Sequence, residues 1–370
     1  MLIKKLWANM DLSLAFLFAL ITGMVSPPSF GEIVARLNLP LLSLLVFLMC
    51  IVAGLRISGF FTAIFEKIFY GEIRSRTLSR FFIFSCYFSS MFITNDVALI
   101  IFAPLAVFTF TELKKIRVIA PTVIWQTIAA NMGSMLTPIG NPQNLFIYSH
   151  YNLSLTEFLS VTAPVVAISG ILIYIGTFFI GDYGLNIAKR EEKSIPKGRI
   201  VLLFSLFIIC LLYVVHIISF EIMALIVIPS ILIFNPKLFL EADYKLILLF
   251  AALFIGVGNL ANIPFFQSIP QNLNGHEFVV SLFLSQIISN VPATVLLSEF
   301  TNAYTPLLLG VNIGGLGTII ASMASVISFK AYMKMRFSKP RYYLVSFTLS
   351  NLAMLFALVL YYNSNFPHLK

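Results

Sequence analysis

A polar triplet inside an apolar run constrains this chain more than any other feature. The run Ser90–Pro104 reads SMFITNDVALIIFAP, and its Asp96 is the only charged residue between Arg80 and Glu112. A carboxylate near a bilayer centre costs about 2.5–3.5 kcal/mol on insertion scales, so such residues usually face a polar cavity and have a function. The alternative interpretation is a protonated aspartic acid that hydrogen-bonds to a neighbouring helix.

The composition places most of the chain in a membrane. Of its 370 residues, 59% are hydrophobic and only 11% are charged, whereas soluble domains have roughly 25% charged residues. Apolar runs bounded by charges or turn residues predict a series of helical spans. The predicted spans are 12–27, 39–57, 119–148, 158–180, 200–217, 219–235, 246–262, 304–329 and 342–362.

Two further apolar segments, 81–110 and 276–301, do not fit a simple crossing. Two crossings plus a turn need about 40 residues, more than the stretch from Arg80 to Glu112 provides. One crossing would put Arg80 and Lys114 on opposite faces of the bilayer. The sequence therefore predicts a re-entrant hairpin in each segment, which is permitted where the tip is buried in protein or lines a cavity.

The distribution of basic residues supports this topology. With a cytoplasmic N-terminus and both hairpins re-entrant, every Lys and Arg except Arg36 and Lys370 falls in a cytoplasmic loop, as the positive-inside rule requires. The same bias explains why 24 Lys and Arg outnumber 15 Asp and Glu, without a nucleic-acid partner. The prediction is a multi-pass protein of the cell (inner) membrane.

The two halves of the chain repeat one polar pattern. SMFITN at Ser90–Asn95 matches SQIISN at Ser285–Asn290, and NMGSMLTPI at Asn131–Ile139 matches NIGGLGTII at Asn312–Ile320. The predicted topology inserts the first hairpin from the cytoplasm and the second from outside, which is the inverted repeat of many secondary transporters. The fold class predicted is an all-α polytopic membrane protein, an inverted repeat with two re-entrant hairpins and two broken helices.

Glycine and proline predict where the two helices break, because neither residue is stable in continuous helix. Unwinding there frees carbonyls that can ligate Na⁺ and half-helix N-termini that attract anions. The alternative interpretation is a packing kink without a site. The residues concerned are Gly133, Pro138, Gly140 and Pro142 in the first half, and Gly314, Gly315 and Gly317 in the second.

At these residues the chain resembles the ion transporter superfamily of arsenite permeases, NhaD-type sodium/proton antiporters, and citrate and dicarboxylate carriers. The resembling stretches are TNDVALIIFAPL (94–105), TPIGNPQN (137–144), SNVPATVL (289–296) and NIGGLGT (312–318). The resemblance implies a scaffold domain, a mobile transport domain, one substrate site where tips and broken helices meet, and commonly a homodimer. The Asn-Asp pair is more similar to the arsenite permeases and antiporters than to the dicarboxylate carriers.

The resemblance and the repeat together predict domains and site residues. The predicted scaffold comprises 1–77 and 151–262, with a cytoplasmic linker at 181–199; the transport repeats are 78–150 and 263–332, and 333–370 is a C-terminal span. A Na⁺ site is expected near Asn95, Asn141, Asn290 and Asn312. The predicted site residues are Thr94, Asn95, Asp96, Asn131, Thr137, Asn141, Asn144, Ser289, Asn290, Thr294, Asn312 and Thr318.

The expected cavity contains no Lys or Arg unless a loop reaches into it, because none occurs at 81–113, 118–188 or 246–329. An anion would then depend on helix N-termini, amide and hydroxyl donors, and a co-bound cation. We predict a secondary active transporter of a small inorganic or carboxylate anion, coupled to H⁺ or Na⁺ through Asp96, with Asn95 and Asn290 orienting the substrate. A Na⁺/H⁺ antiporter and an ion channel are the alternatives.

Chemical motifs of membrane enzymes are absent from the sequence. It contains no His-Glu-x-x-His, Gly-x-Ser-x-Gly or Cys/His cluster, the patterns that carry metal-assisted or nucleophilic hydrolysis. We therefore predict that the chain is not an enzyme and needs no cofactor beyond a coupling ion. Its expected partners are the lipid bilayer, the transported ions and a second copy of the chain.

Overall fold

The chain folds almost entirely into helices in a computed structural model, which describes residues 10–61, 63–64, 71–187, 197–263, 273 and 275–366. The predicted all-α polytopic membrane protein is confirmed, since six helices of the described part are long and apolar enough to cross a bilayer. The first eight helices are α1 (Met10–Val25), α2 (Phe30–Arg36), α3 (Leu39–Ile57), α4 (Ser75–Ile93), α5 (Asn95–Glu112), α6 (Ile119–Ser134), α7 (Pro142–His150) and α8 (Leu155–Gly176). The next eight are α9 (Lys197–Val214), α10 (Phe220–Phe234), α11 (Tyr244–Ala261), α12 (Glu277–Ile288), α13 (Asn290–Ser298), α14 (Tyr304–Ile313), α15 (Met323–Met333) and α16 (Pro340–Asn365).

Loops that were predicted to share the cytoplasmic face lie against each other. Strands β1 (Gly71–Arg74) and β2 (Gly184–Ile187) pair antiparallel beside an ion pair of 2.9 Å between Arg74 and Asp182. The hydrogen bond from Arg74 holds the pKa of the Asp182 carboxyl below its ordinary value. This pairing agrees with the loop assignment, while the cytoplasmic N-terminus and the domain boundaries stay predictions. Residues 1–9, and residues 188–196 of the predicted linker, lie outside the described residues.

Thr94 separates α4 from α5 and reverses the direction of the chain. Its φ of 69° and ψ of 150° are an outlying backbone conformation for a β-branched residue. The Gln126 amide of α6 donates to the Phe82 carbonyl at 3.5 Å and to the Phe102 carbonyl at 3.0 Å. The Phe82 and Phe110 rings lie 6.0 Å apart. Phe82 lies before the tip, whereas Phe102 and Phe110 lie after it. Their proximity shows that α4 and α5 are the antiparallel arms of a hairpin.

The second hairpin consists of α12 and α13, joined at Ser289. The φ of 73° and ψ of 155° at Ser289 closely match the values at Thr94, the equivalent residue of the first half. At the base of this hairpin the Thr301 hydroxyl donates to the buried Glu277 carboxylate at 3.2 Å. The Tyr151 hydroxyl donates to the Thr301 carbonyl at 2.8 Å. The repeat read from the sequence therefore extends to an unusual backbone conformation.

The chain reversals at Thr94 and Ser289 favour re-entrant hairpins, which stay a prediction. From Arg80 to Thr94 the helix extends roughly 20 Å, and from Glu277 to Ser289 roughly 18 Å, at 1.5 Å per residue. A hydrocarbon core is about 30 Å thick. Helix α5 is long and apolar enough to cross a bilayer by itself, so the reversal at the tip, rather than helix length, supports the hairpin.

Both helices predicted to be broken are interrupted, and each interruption is tied to its own hairpin by the same bond. The first lies between α6 and α7, and the second between α14 and α15. The Thr137 hydroxyl donates to the Met91 carbonyl, and the Thr318 hydroxyl donates to the Gln286 carbonyl at 3.1 Å. Met91 and Gln286 each lie three residues before a hairpin tip. Tip and interruption therefore form one local unit in each half.

Two equivalent glycines let each hairpin approach its broken helix closely. A Cβ on Gly133 would overlap the Tyr87 carbonyl oxygen, and a Cβ on Gly314 would lie 3.0 Å from the Leu282 carbonyl oxygen. Tyr87 and Leu282 occupy equivalent positions of the repeat. The sequence therefore places glycine where backbone meets backbone at each hairpin.

We expect Gly133→Ala to destabilise the fold, because α4 would have to move away from α6. Overpacking of a buried contact typically costs about 1–3 kcal/mol, so the melting temperature in detergent should fall by several degrees. Gly31→Ala is the matched control, since no atom lies within 4 Å of the added Cβ. Equal melting temperatures for both variants would contradict the close approach.

Candidate functional site

A buried cluster of neutral side chains lies where the two tips and the two interruptions meet. Every member is at most 4% exposed. Neutral amides and hydroxyls are costly to bury without hydrogen bonds, so the hydrogen-bond partners of these side chains show what holds the cluster together. The asparagine cluster consists of Asn95, Asn131, Asn141, Asn144, Asn290, Asn312 and Ser322.

Asn131, in the last turn of α6, joins the first tip to the second interruption. Its side-chain oxygen accepts from the Asn95 amide at 3.1 Å and from the Ser322 hydroxyl at 3.0 Å. Its amide donates to the Gly315 carbonyl at 3.3 Å. One side chain of the first half therefore contacts both halves of the molecule.

Asn312, in the last turn of α14, makes the reciprocal connection to the first interruption. Its oxygen accepts from the Asn141 amide at 3.0 Å, and its amide donates to the Asn144 oxygen at 2.7 Å. Asn312 is the repeat equivalent of Asn131, and Asn141 is the equivalent of Ser322. Each broken helix thus bonds into the interruption of the other, which joins the two halves into one unit.

Carbonyls released by the first interruption are bonded by the Asn144 amide. It donates to the carbonyls of Ser134, Met135 and Thr137, each at 3.2 Å. With its oxygen bonded to Asn312, Asn144 is engaged at both ends. Asn144 therefore stabilises the unwound backbone of the first interruption.

Gln286 braces the second interruption from the hairpin instead. Its amide donates to the Gly314 carbonyl at 2.6 Å and the Leu316 carbonyl at 2.9 Å. Its oxygen accepts from the Thr318 backbone amide at 3.0 Å. Several of the carbonyls that the sequence analysis expected to be free for Na⁺ are therefore hydrogen-bonded within the protein in both halves.

The second tip carries the side chains with spare bonding capacity. The Asn290 carboxamide has no hydrogen-bond partner among the described residues, and its nitrogen lies 3.1 Å from the place of a Cβ on Gly315. The Ser289 hydroxyl makes only a long bond of 3.4 Å, to the Ala321 carbonyl. At the first tip, the Thr94 hydroxyl does not cap its helix. These groups can bind a ligand without breaking a bond of the fold.

Asp96 lies one residue beyond the first tip, in the first turn of α5. Its backbone amide donates to the Asn95 oxygen at 2.9 Å. Its Oδ1 atom is buried without a hydrogen-bond partner in the described part of the chain. A buried, unpaired carboxylate oxygen can take up a proton or a cation.

Four helix N-termini point into the cluster. Helices α5, α7, α13 and α15 all begin at a cluster residue or directly after one. The N-terminal end of a helix carries a partial positive charge that favours anions. Neither tip hydroxyl caps its helix; the Asn95 side-chain oxygen instead accepts from the Asp96 backbone amide, and the Ala321 carbonyl accepts from the Asn290 backbone amide. The site is thus electropositive without containing a basic residue.

The structure brings most of the predicted site residues together and leaves three apart. Thr318 is exposed, Thr294 bonds its hydroxyl to the Asn290 backbone carbonyl at 2.7 Å, and the carboxylate of Asp96 bonds to no cluster member. Those in or directly against the cluster are Thr94, Asn95, Asn131, Thr137, Asn141, Asn144, Ser289, Asn290 and Asn312. Their role in binding stays a prediction.

Gln286 and Ser134 were missed by sequence reasoning. The Ser134 hydroxyl accepts from the Asn141 amide at 3.1 Å. Gln286 lies inside the repeated SQIISN, opposite an apolar Met91 in the first half. That unequal pair was a signal: a polar side chain replacing an apolar one beside a helix break indicates a bonding partner for the break.

Comparisons with known proteins show a membrane transporter. The sequence profile of the family described as "Citrate transporter" matches residues 3–303. The chain is 35% identical to an uncharacterized transporter of Methanocaldococcus jannaschii, covering 77% of this chain and 79% of that protein. It is 31% identical to the inner membrane protein YbiR of Escherichia coli, covering 76% and 77%. A 46 kDa membrane protein of Mycobacterium leprae is 25% identical over 56% of this chain and 58% of its own length.

We expect Asn312→Ala to lower the stability of the fold much more than Asn290→Ala does, because only Asn312 has side-chain hydrogen bonds within the cluster. Asn312→Ala leaves the Asn141 amide and the Asn144 oxygen without partners, and each unsatisfied buried group costs about 1–3 kcal/mol. Asn290→Ala removes no hydrogen bond within the described residues, so its cost should stay below about 1 kcal/mol. Thermal unfolding in detergent measures both. A larger loss of stability in Asn290→Ala would contradict this assignment.

Proposed function

The chain belongs to the citrate transporter family, and from that membership we propose that it is a secondary active carrier of a small carboxylate anion, coupled to H⁺ or Na⁺. It is a multi-pass membrane transporter rather than an enzyme. The observation that carries the finer proposal is the asparagine cluster, whose uncharged side chains join the first tip to both interruptions. The second tip is bonded to the second interruption through the Asn290 backbone amide and the Ala321 carbonyl.

The hydrogen bonds between the two halves of the cluster favour a carrier over a channel. The bonds of Asn131 and Asn312 join the two halves at the centre of the proposed site. Breaking them would unpair buried amides. A site that stays intact while the surrounding scaffold exposes it to one face and then the other avoids that cost. Single-channel currents from the purified protein would overturn this choice.

An anionic substrate is supported by the groups that remain available. The Asn290 side-chain amide and the tip hydroxyls are hydrogen-bond donors suited to carboxylate oxygens. No Lys or Arg belongs to the cluster. The negative charge of the substrate would therefore be balanced by helix N-termini and by a co-transported cation.

Asp96 is the residue we assign to that cation. Asp96 follows Asn95 in the chain and has a buried carboxylate oxygen without a partner in the described residues, so a proton or Na⁺ bound there would lower the repulsion of an incoming anion. The same carboxylate, together with Asn95 and Asn141, would equally serve Na⁺/H⁺ antiport, which is the second candidate function. An inner-membrane location with a cytoplasmic N-terminus, and a homodimer, are part of the proposal.

We expect reconstituted protein to exchange labelled citrate for unlabelled citrate across proteoliposome membranes, and Asp96→Asn to separate exchange from coupling. The variant mimics the protonated carboxyl, so exchange without a gradient should continue. Uptake driven by a proton or Na⁺ gradient should fall by at least about tenfold, the equivalent of 1.4 kcal/mol. Replacing Na⁺ by K⁺ distinguishes the two coupling ions.

Glu72→Gln is the matched control, because it removes an exposed carboxylate of β1 far from the cluster in sequence. It should keep both exchange and gradient-driven uptake. Unchanged coupling in Asp96→Asn would remove the role of Asp96. Na⁺/H⁺ exchange without movement of any carboxylate or oxyanion would favour the antiporter.

A further inference from the structure

A cavity of about 620 Å³ opens on the face predicted to be outside, and no member of the asparagine cluster lines it. That volume is within the range of about 300–1,000 Å³ found for small-molecule sites. One wall comes from α2, α3 and α11, which are predicted scaffold, and the other from α7 and α13, which are predicted transport elements. The cavity therefore lies on the boundary where a carrier exchanges its substrate with the outside.

The floor of the cavity is close to the asparagine cluster. Phe146 and Val295 line it, and they follow the cluster residues Asn141 and Asn290 along α7 and α13. Along a helix these separations are roughly 8 Å, at 1.5 Å per residue. A ligand in the cavity would lie directly above the two helix N-termini that enter the site.

Arg36 lines this cavity and is its only Lys or Arg within the described residues. It was one of the two basic residues that the topology left outside the cytoplasmic loops. Helix α2 places it in this outer cavity, whereas the asparagine cluster contains no Lys or Arg. Its side chain is 18% exposed, which lowers the screening of its charge by water.

The guanidinium of Arg36 is held in place by α11. It donates to the Asn259 side-chain oxygen at 2.5 Å. A Cβ on Gly258 would lie 2.7 Å from the Arg36 Cδ atom and 2.8 Å from its Nε atom, so a side chain at this position would displace Arg36 from its present place. The nearest acid, Glu32, is 3.9 Å away and accepts from the Ser29 backbone amide at 2.6 Å as the cap of α2. Several guanidinium donors are thus available for a ligand.

We propose that this cavity is an outer entrance site for the transported anion, in which Arg36 binds a carboxylate group before the anion reaches the asparagine cluster. Arginine presents parallel N–H donors that match a carboxylate in a bidentate pair. A charge absent from the transport site but present at its mouth raises the local anion concentration without holding the anion at the translocation step. The proposal rests on the proposed anion transport.

Glu299 is expected to weaken anion binding in the same cavity. It lines the same cavity from the end of α13 and is exposed. Its negative charge opposes an anion that Arg36 attracts. Arg36→Gln and Glu299→Gln are therefore expected to change anion affinity in opposite directions.

The site can be tested with an introduced thiol, since Cys50, Cys86 and Cys210 are all buried. Ala35 lines the cavity and is exposed, so Ala35→Cys should react with a membrane-impermeant maleimide added outside intact cells. Citrate should slow this labelling in the full-length protein. Adding Arg36→Gln should abolish the protection, and Arg36→Lys should restore part of it.

Arg56→Gln is the matched control, because it removes one positive charge from α3 that pairs with Glu241 at 2.7 Å outside the cavity. It should leave citrate protection unchanged. In uptake assays, Arg36→Gln should raise the KM for citrate by at least about tenfold and change the maximal rate much less. Glu299→Gln should lower the KM.

The outcomes separate this proposal from the proposed function. Protection by citrate that persists in Arg36→Gln, absence of protection in Ala35→Cys, or labelling only from the cytoplasmic side overturns the entrance site. Carboxylate uptake with an unchanged KM in Arg36→Gln also overturns it, while the transport function stands. Arg36-dependent protection without any citrate movement supports the binding site and overturns citrate transport.

Discussion

The structure depends on one constraint: backbone groups released by a broken helix inside a bilayer must be hydrogen-bonded by the protein. Two helices are broken here, and amide side chains supply the missing partners. Asn144 bonds three carbonyls of the first interruption, and Gln286 bonds two of the second. An amide suits this task because it carries both donors and acceptors without a charge that would need to be neutralised.

The same constraint joins the two halves of the repeat. Asn131 of the first half bonds to the interruption of the second half, and Asn312 of the second half bonds to the interruption of the first. The polar groups of each half therefore need the other half as a hydrogen-bond partner. Tips and interruptions therefore form one cross-linked unit. Most of the polar residues at its centre form hydrogen bonds within the fold. The groups that remain for the proposed ligand and coupling ion are the Asn290 amide, the tip hydroxyls and the Asp96 carboxylate.

The basic residues are distributed differently between the asparagine cluster and the outer cavity. The asparagine cluster has no basic residue, while Arg36 lies at the mouth of the outer cavity, fixed by Asn259 and Gly258. A permanent positive charge at the translocation site would hold an anion strongly and slow its release. A charge at the entrance, outside the cross-linked unit, attracts the anion without that penalty.

Much of the architecture followed from residue order alone. The hairpin at Thr94 was predicted because the stretch between Arg80 and Glu112 is too short for two crossings. Its counterpart at Ser289, and both helix breaks, followed from the repeated SxxIxN pattern and from glycine and proline. The bonding roles within the site did not follow: Asn144 and Asn290 are the same residue type in equally apolar surroundings, yet one braces backbone and the other is unpaired.

The sequence by itself determined a polytopic α-helical membrane protein with two hairpins, two broken helices and a shared polar centre. Hydropathy, charge bias and helix-breaking residues act locally along the chain, and they are sufficient for those features. Only the tertiary structure decided which amides are consumed by the fold, and that Arg36 reaches a cavity between distant helices. Such bonds join residues such as Arg36 and Asn259 that are 223 positions apart, and no local pattern specifies which distant partner a side chain meets.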